Sequence, residues 1–418
     1  MKRYLSIYIL FLLSFFHQSL GAQVVLDESA KISLLTASAW HEEAYALFGH
    51  TAIRVKDDSL RLDEVYNYGY FDSTQPHFVY NFVRGKTDYV LGVTSFEHFI
   101  AEYDYKGQAV TEQVLALDSL EKQNLYEALY VNALPENMRY RYNYFYDNCA
   151  TRPRDMIEKY KSGEIIYPAT SKKQTFRDLI HECAEEHQWT KFGIDLVIGS
   201  EADKVIDVRE KMYIPAYLME SFDGAVVEVN DTLSVPLVES REVLLNIDSE
   251  VNSAGEEGWL SPMAIAFALL IVTLIVSFVQ YYSMNRSRVP KIYDTFLYGI
   301  YGIGGIIIFI LMYFSSHPAT NPNWNFAWLN IFALIAAILF WVKRANYAVY
   351  LYHLLNFAVL TLYLLFWWSI PQEMPKASIV FALSLCVRSG VNFMMQRQRN
   401  IVNDRFTSSR DMKAGWGQ

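Results

Sequence analysis

The chain has 418 residues, 52% of them hydrophobic and 19% charged, a greasier balance than one soluble domain carries. Residues 23–258 hold 22 Lys and Arg against 41 Asp and Glu, whereas residues 259–418 hold 12 against 4. An acidic half joined to an apolar, basic-edged half argues against a fully soluble enzyme and against a nucleic-acid binder, which needs a basic face, and no G-x-x-x-x-G-K-[ST] stretch is present to cradle a nucleotide phosphate.

From the N-terminus, Lys2 and Arg3 precede the apolar run 4–16, and Ser19, Gly21 and Ala22 supply small residues for a signal peptidase, so residues 1–22 read as a removed secretory signal. An uncleaved anchor is the alternative, and it leaves the next segment on the same side of the membrane. Residues 23–245 form the exported domain. Alternation predicts strands at 51–56, 64–71, 108–117 and 140–146, and helical spacing predicts helices at 118–132, 154–160 and 175–188. The stretch 208–221 is mixed, and 225–229 with 234–238 reads as a hairpin around Asn230 and Asp231. Strands and helices without a βαβ rhythm make this domain α+β.

Residues 246–258, with acids, Ser and Gly, read as a linker. Residues 259–396 read as a membrane domain, with apolar runs at 261–282, 295–314, 326–342, 347–368 and 376–395, each near the roughly 20 residues that a spanning helix requires. An all-α bundle of five spans is the simplest reading. Arg286, Arg288 and Lys291 follow the first run, Lys343 and Arg344 follow the third, and Arg397, Arg399, Arg405, Arg410 and Lys413 fill the tail 397–418. The loops 315–325 and 369–375 carry no Lys or Arg. By the positive-inside rule the tail is cytoplasmic, and an odd number of crossings puts the acidic domain outside, in agreement with the signal segment.

Three cysteines are present, Cys149, Cys183 and Cys386, the last a small apolar residue of the fifth span. Cys149 lies where a strand ends, turns at Asp147 and Asn148 and gives way to a helix whose first turn suits Pro153. At a helix N-terminus, flanked by Arg152 and Arg154, its thiol is expected to have a lowered pKa. A thiolate nucleophile also needs an imidazole. Among His41, His50, His77, His98, His181 and His187, His50 is best placed, at the mouth of a short buried strand and after Gly49. His181 and His187 share a polar helix with Glu182, Glu185 and Glu186 and read as solvated. No H-E-x-x-H occurs, and neither a metal nor a cofactor is called for. A disulfide between Cys149 and Cys183, or a packed histidine beside an inert thiol, stays open as the alternative.

A Gly49-His50-Thr51-Ala52-Ile53 strand followed much later by Asn148-Cys149-Ala150-Thr151 at a strand-to-helix turn resembles the circularly permuted papain-like (NlpC/P60-like) group, in which histidine precedes cysteine. The whole chain is similar to the Lnb-type lipoprotein N-acyltransferases. The stretches that carry this are 48–55, 65–69, 148–155 and 317–325, and the likeness spans nearly all of the mature chain. The resemblance implies a bacterial inner-membrane enzyme with a periplasmic catalytic domain. It would move an acyl chain from a membrane phospholipid, through a thioester, to the α-amino group of a diacylglyceryl lipoprotein. It implies Cys149 as nucleophile and His50 as general base, then acid. Asn67, on the neighbouring strand and on the face opposite Tyr66 and Tyr68, would orient His50, although a sheet hydrogen bond serves it equally. Backbone N–H groups at the start of the cysteine helix would form part of an oxyanion hole.

Arg152 and Arg154, together with His317, Asn321 and Asn323 of the loop after the second span, are candidates for substrate contact. The loop faces the same side as Cys149, and a solvated turn is its plainer reading. The rival functions are a membrane-tethered papain-like peptidoglycan amidase or peptidase and a non-catalytic lipoprotein-binding scaffold. Five spans are more than a tether needs, which favours the acyltransferase.

Overall fold

The computed structural model of the chain describes residues 24–43, 46–71, 74, 76–230, 233–246, 260–283 and 288–414. The expected signal, 1–22, and all but the first residue of the expected linker, 246–258, lie outside the described residues.

A seven-stranded antiparallel sheet is built from β1 (Lys31–Ala37), β2 (His50–Asp57), β3 (Leu62–Tyr70), β4 (Asp88–Ser95), β5 (Val110–Leu115), β6 (Arg139–Arg141) and the strand Val238–Leu245. Their order is Val238–Leu245, β5, β1, β2, β3, β4, β6. One face carries Ile53, Val55, Tyr66 and Tyr68 against Leu125, Ile157 and Phe222 of three helices, Ser119–Ala133, Thr151–Tyr160 and Pro215–Asp223. The other carries Leu35, Ala52 and Val65 against Phe99 and Tyr103 of the helix Phe96–Tyr105. Because side chains alternate along a strand, His50 shares this second face with Ala52, and Asn67 shares it with Val65.

The domain is therefore mixed helix and sheet, with differences from the expected elements. β1 was not anticipated: six of its seven residues are buried, so both of its faces are covered and no alternation shows. The expected strand 140–146 is cut to Arg139–Arg141, and Asn143 to Asp147 close a tight bridged turn. The expected helix 175–188 stops at Cys183 and a second helix, Gln188–Val197, follows.

Among the described residues, four helices are long and apolar enough to cross a membrane: Pro262–Tyr282, Val289–Phe314, Lys343–Ser369 and Lys376–Gln398, the last continuing to Ala414 through the expected tail. Within the expected third span, 326–342, the helical part is short, a 3-10 turn, Trp324–Ala327, and a nine-residue helix, Ile331–Leu339, roughly 14 Å long at 1.5 Å per residue. Asn325 explains part of this. Its Nδ2 donates to the Asp195 carbonyl at 3.0 Å and its Oδ1 accepts from Trp328 Nε1 at 3.0 Å, which ties the segment to the exported domain.

The two domains are fastened by backbone. Gly199 N donates to Ala319 O at 2.6 Å, Ser200 N to Pro322 O at 2.9 Å, and Gln372 Nε2 to Ile198 O at 3.1 Å. The fully buried Arg177 braces the receiving loop through Asp195, Asp203 and the Ile198 and Gly199 carbonyls.

Candidate active site

His50 opens β2. Gly49 before it has φ +77°, and a Cβ there would lie 2.7 Å from the Ala37 carbonyl oxygen, so only glycine admits the chain as it enters the strand beside β1. The imidazole stacks on Tyr103, ring centres 6.4 Å apart, and its Nε2 donates to Asn67 Oδ1 at 3.2 Å. This hydrogen bond selects the tautomer that leaves Nδ1 as the basic nitrogen. Burial pushes the His50 pKa down to about 4, against the smaller upward pulls of Asn67 and Glu102.

Cys149 is placed by its neighbour. The buried Asn148 accepts from Ala150 N at 2.8 Å and Thr151 N at 2.9 Å, and donates to the Tyr144 and Tyr213 carbonyls at 2.9 Å each. It thereby fixes the turn from which Thr151–Tyr160 starts and uses the first free N–H groups of that helix. The backbone N–H groups of Thr51 and of Cys149 itself pull the Cys149 thiol pKa down. The sequence does contain the signal for this role of Asn148, a capping-type residue beside the cysteine, though it was not singled out.

The expected lowering of the thiol pKa is corrected. Burial dominates and pushes Cys149 up to about 11, with the two N–H groups opposing. The flanking arginines serve local pairs. Arg152 binds Asp147 at 2.8 Å and lies 3.6 Å over the Tyr140 ring. Arg154 is buried, donates to Asp155 at 2.7 Å and to the Arg209 carbonyl at 2.8 Å. Neither lines the cavity that holds the cysteine.

That cavity, about 410 Å³, brings Cys149, His50 and Gly69 together. Gly69 has φ +109°, and a Cβ there would lie 3.5 Å from the Cys149 Cβ. Phe71, Tyr89 and Tyr142 form an aromatic wall, and Trp40, Glu102 and Lys106 a polar one. From the aromatic wall a chain of rings leads away: Tyr142 to Tyr89 at 4.1 Å, Tyr89 to Phe71 at 5.4 Å, Phe71 to Phe78 at 5.7 Å, Phe78 to Phe82 at 6.1 Å, and Phe82 to His317 at 5.7 Å. It ends at the membrane domain.

The loop candidates sit elsewhere than expected for substrate contact. His317 Nε2 bonds the Phe82 carbonyl at 2.6 Å, Asn323 is buried and donates to the Leu196 carbonyl at 2.8 Å, and Asn321 is exposed. None of the three lines the cavity, and the first two latch the domains. His181, expected in solvent, is bound to Asp195 at 2.8 Å, and His187 meets His41 Nδ1 at 2.9 Å. Cys149 and Cys183 are free thiols. Among the described residues no three or more His, Cys, Asp or Glu are grouped to hold a metal ion.

A thiol held near 11 makes a testable expectation. Iodoacetamide, which reacts with the thiolate, modifies Cys149 slowly at neutral pH, and the rate keeps climbing as pH rises toward about 11. Peptide mass separates it from Cys183, which burial pushes up to about 12. A rate that levels off below pH 8 would show a thiolate already formed.

Residues 24–181 match the model of the Lnb N-terminal periplasmic domain, and residues 254–400 match that of the Lnb transmembrane domain. No curated protein and no solved structure matches the chain.

Proposed function

This chain belongs to the Lnb family, as a membrane protein with a periplasmic domain, and we propose that it is a lipoprotein N-acyltransferase. Its donor is a phospholipid and its acceptor the α-amino group of a lipoprotein's diacylglyceryl cysteine. Cys149 attacks the donor's ester carbonyl carbon while its proton passes to His50 Nδ1. The C–S bond forms, the C–O bond breaks, and His50 returns the proton to the leaving glycerol oxygen. The acceptor amine then attacks the thioester, losing a proton to His50, and the thiol is restored. Asn67 holds the imidazole, and backbone N–H groups beside Cys149, that of Thr51 among them, serve the developing oxyanion.

The observation that carries this reading is the run of rings from the Cys149 cavity to His317. It favours a donor whose acyl chain arrives from the membrane rather than a soluble wall peptide. Val79, Tyr80 and Phe82 of the helix Phe78–Val83 are exposed, and so are Tyr313 and Phe314 at the end of the second membrane helix, to which that region is bonded through Ser315 Oγ and the Val83 carbonyl at 2.7 Å. An apolar surface beside a spanning helix end fits the lipid interface. The strand order, with His50 and Asn67 on adjacent strands and Cys149 ahead of a later helix, supports the circularly permuted papain-like fold. Lys291, Lys343, Arg344 and Arg397 support an inner-membrane bundle with its C-terminus in the cytoplasm.

The test is made in the cell. Deleting the gene should leave lipoproteins with a free, diacylglyceryl N-terminal cysteine by mass spectrometry, and wild-type protein should restore the third acyl chain. Unchanged N-acylation with altered wall cross-links would favour the peptidoglycan hydrolase, and rescue by Cys149→Ala would favour the scaffold.

A further inference from the structure

On the polar wall of the Cys149 cavity, Glu102 and Lys106 form an ion pair of 2.6 Å at the end of the helix Phe96–Tyr105, with side chains 31% and 28% exposed. Lys106 Nζ also lies 5.6 Å from the Trp40 ring centre and 5.5 Å from that of Tyr103. A partly exposed i,i+4 pair adds little stability, so its place beside the nucleophile asks for another explanation. Tyr103 in turn stacks on His50 at 6.4 Å, so the ion pair lies on the His50 part of the wall, while Tyr89 and Tyr142 stack on each other at 4.1 Å in the part that leads toward Phe71. The cavity's charges therefore lie on the His50 part of its wall, and the ring run that leads to the membrane domain starts from Tyr142 and Tyr89.

Resting on the acyltransferase reading, we propose that Glu102 and Lys106 form the headgroup subsite for a zwitterionic donor lipid that carries a phosphate and a primary ammonium. The chemistry of the step places the donor this way round. His50 must protonate the departing glycerol oxygen, so the glycerophosphate part of the lipid lies on the His50 side and the acyl chain on the aromatic side. The phosphate is only a few bonds from that oxygen, which puts it beside Lys106. The ammonium then replaces Lys106 as the partner of Glu102, so one internal ion pair is exchanged for two with the ligand. A pair of zero net charge accepts a zwitterion without leaving a charge over. An anionic headgroup with no ammonium would occupy Lys106 and leave Glu102 unpaired beside the phosphate.

The experiment uses the full chain in vesicles of phosphatidylethanolamine or of phosphatidylglycerol with matched acyl chains, and no lipoprotein, so that only the donor can occupy the site. Formation of acyl-Cys149 is followed by intact mass. The phosphatidylethanolamine rate should exceed the other by about tenfold, the size of one charged contact. Glu102→Gln should bring that ratio close to one, and Lys106→Gln should slow both donors. If Glu102→Gln slows both donors equally and keeps the ratio, Glu102 acts through His50 and the subsite is overturned. Matching rates from the two lipids in the wild-type protein overturn the subsite alone, whereas no acyl-Cys149 from either lipid overturns the acyltransferase reading and the subsite with it.

Discussion

Purified protein incubated with phospholipid and no lipoprotein gains the mass of one acyl chain on Cys149, and neutral hydroxylamine removes it. The reason is the difference between an oxygen ester and a thioester. An amine attacks the first slowly and the second readily, so passing the acyl group through sulfur replaces one hard step with two easier ones. Burial holds the thiol near 11 and the imidazole near 4, so both are neutral at rest and the proton moves only as the carbonyl carbon is attacked. Cys149→Ala should gain no acyl chain. His50→Ala should gain it about 10²–10⁴-fold more slowly, the usual contribution of a positioned base. Asn67→Ala should be milder, since it disturbs only the orientation and tautomer of His50. Normal lipoprotein N-acylation by Cys149→Ala protein would remove Cys149 as the nucleophile and favour the scaffold.

The parts of this site legible in the sequence are those encoded locally. His50 stands after a glycine at a strand mouth and Cys149 between a turn and a helix, so pattern marks these two as candidates, whereas Asn67, alternating with Val65 on the next strand, is pointed to only by the family resemblance. What pattern cannot carry is the partner of a side chain far away in sequence. Arg152 and Arg154 look like charges that lower the thiol pKa, until Asp147 and the Arg209 carbonyl take them and burial decides the sign. His317 and Asn323 stand out as a polar loop between apolar helices, but their use as latches depends on Phe82 and Leu196. Hydropathy marks 326–342 as apolar but does not register that its start is tied to the exported domain by the Asn325 bond to Asp195. The Glu102 and Lys106 pair gives no motif, because its meaning lies in facing His50.

Arg388→Ala or Asp294→Ala should each unfold the membrane domain more easily, by about 3–5 kcal/mol, because either leaves a buried charge without its partner. Arg388 is fully buried inside the bundle. It donates to Asp294 through Nε at 2.6 Å and a terminal nitrogen at 2.7 Å, to Ser277 at 2.9 Å and to Gln280 at 2.7 Å. Asn392 completes the set, donating to Asp294 at 2.8 Å and accepting from Gln280 at 2.9 Å. These residues come from three helices, Pro262–Tyr282, Val289–Phe314 and Lys376–Ala414, so the network sets how they meet. Charge inside a bilayer is costly and is kept where it pairs or serves transport or catalysis. This pair lines no part of the Cys149 cavity, which leaves pairing as its role. Replacing both members, Asp294→Leu with Arg388→Met, removes the charges together and should recover most of the stability lost by either single change. Thermal unfolding in detergent, followed by intrinsic fluorescence, measures all four proteins, and acyl-Cys149 formation measures them again. If the double variant regains the folded state but not acylation, the pair does more than hold the helices; if the single variants unfold like the wild type, it does not hold them at all.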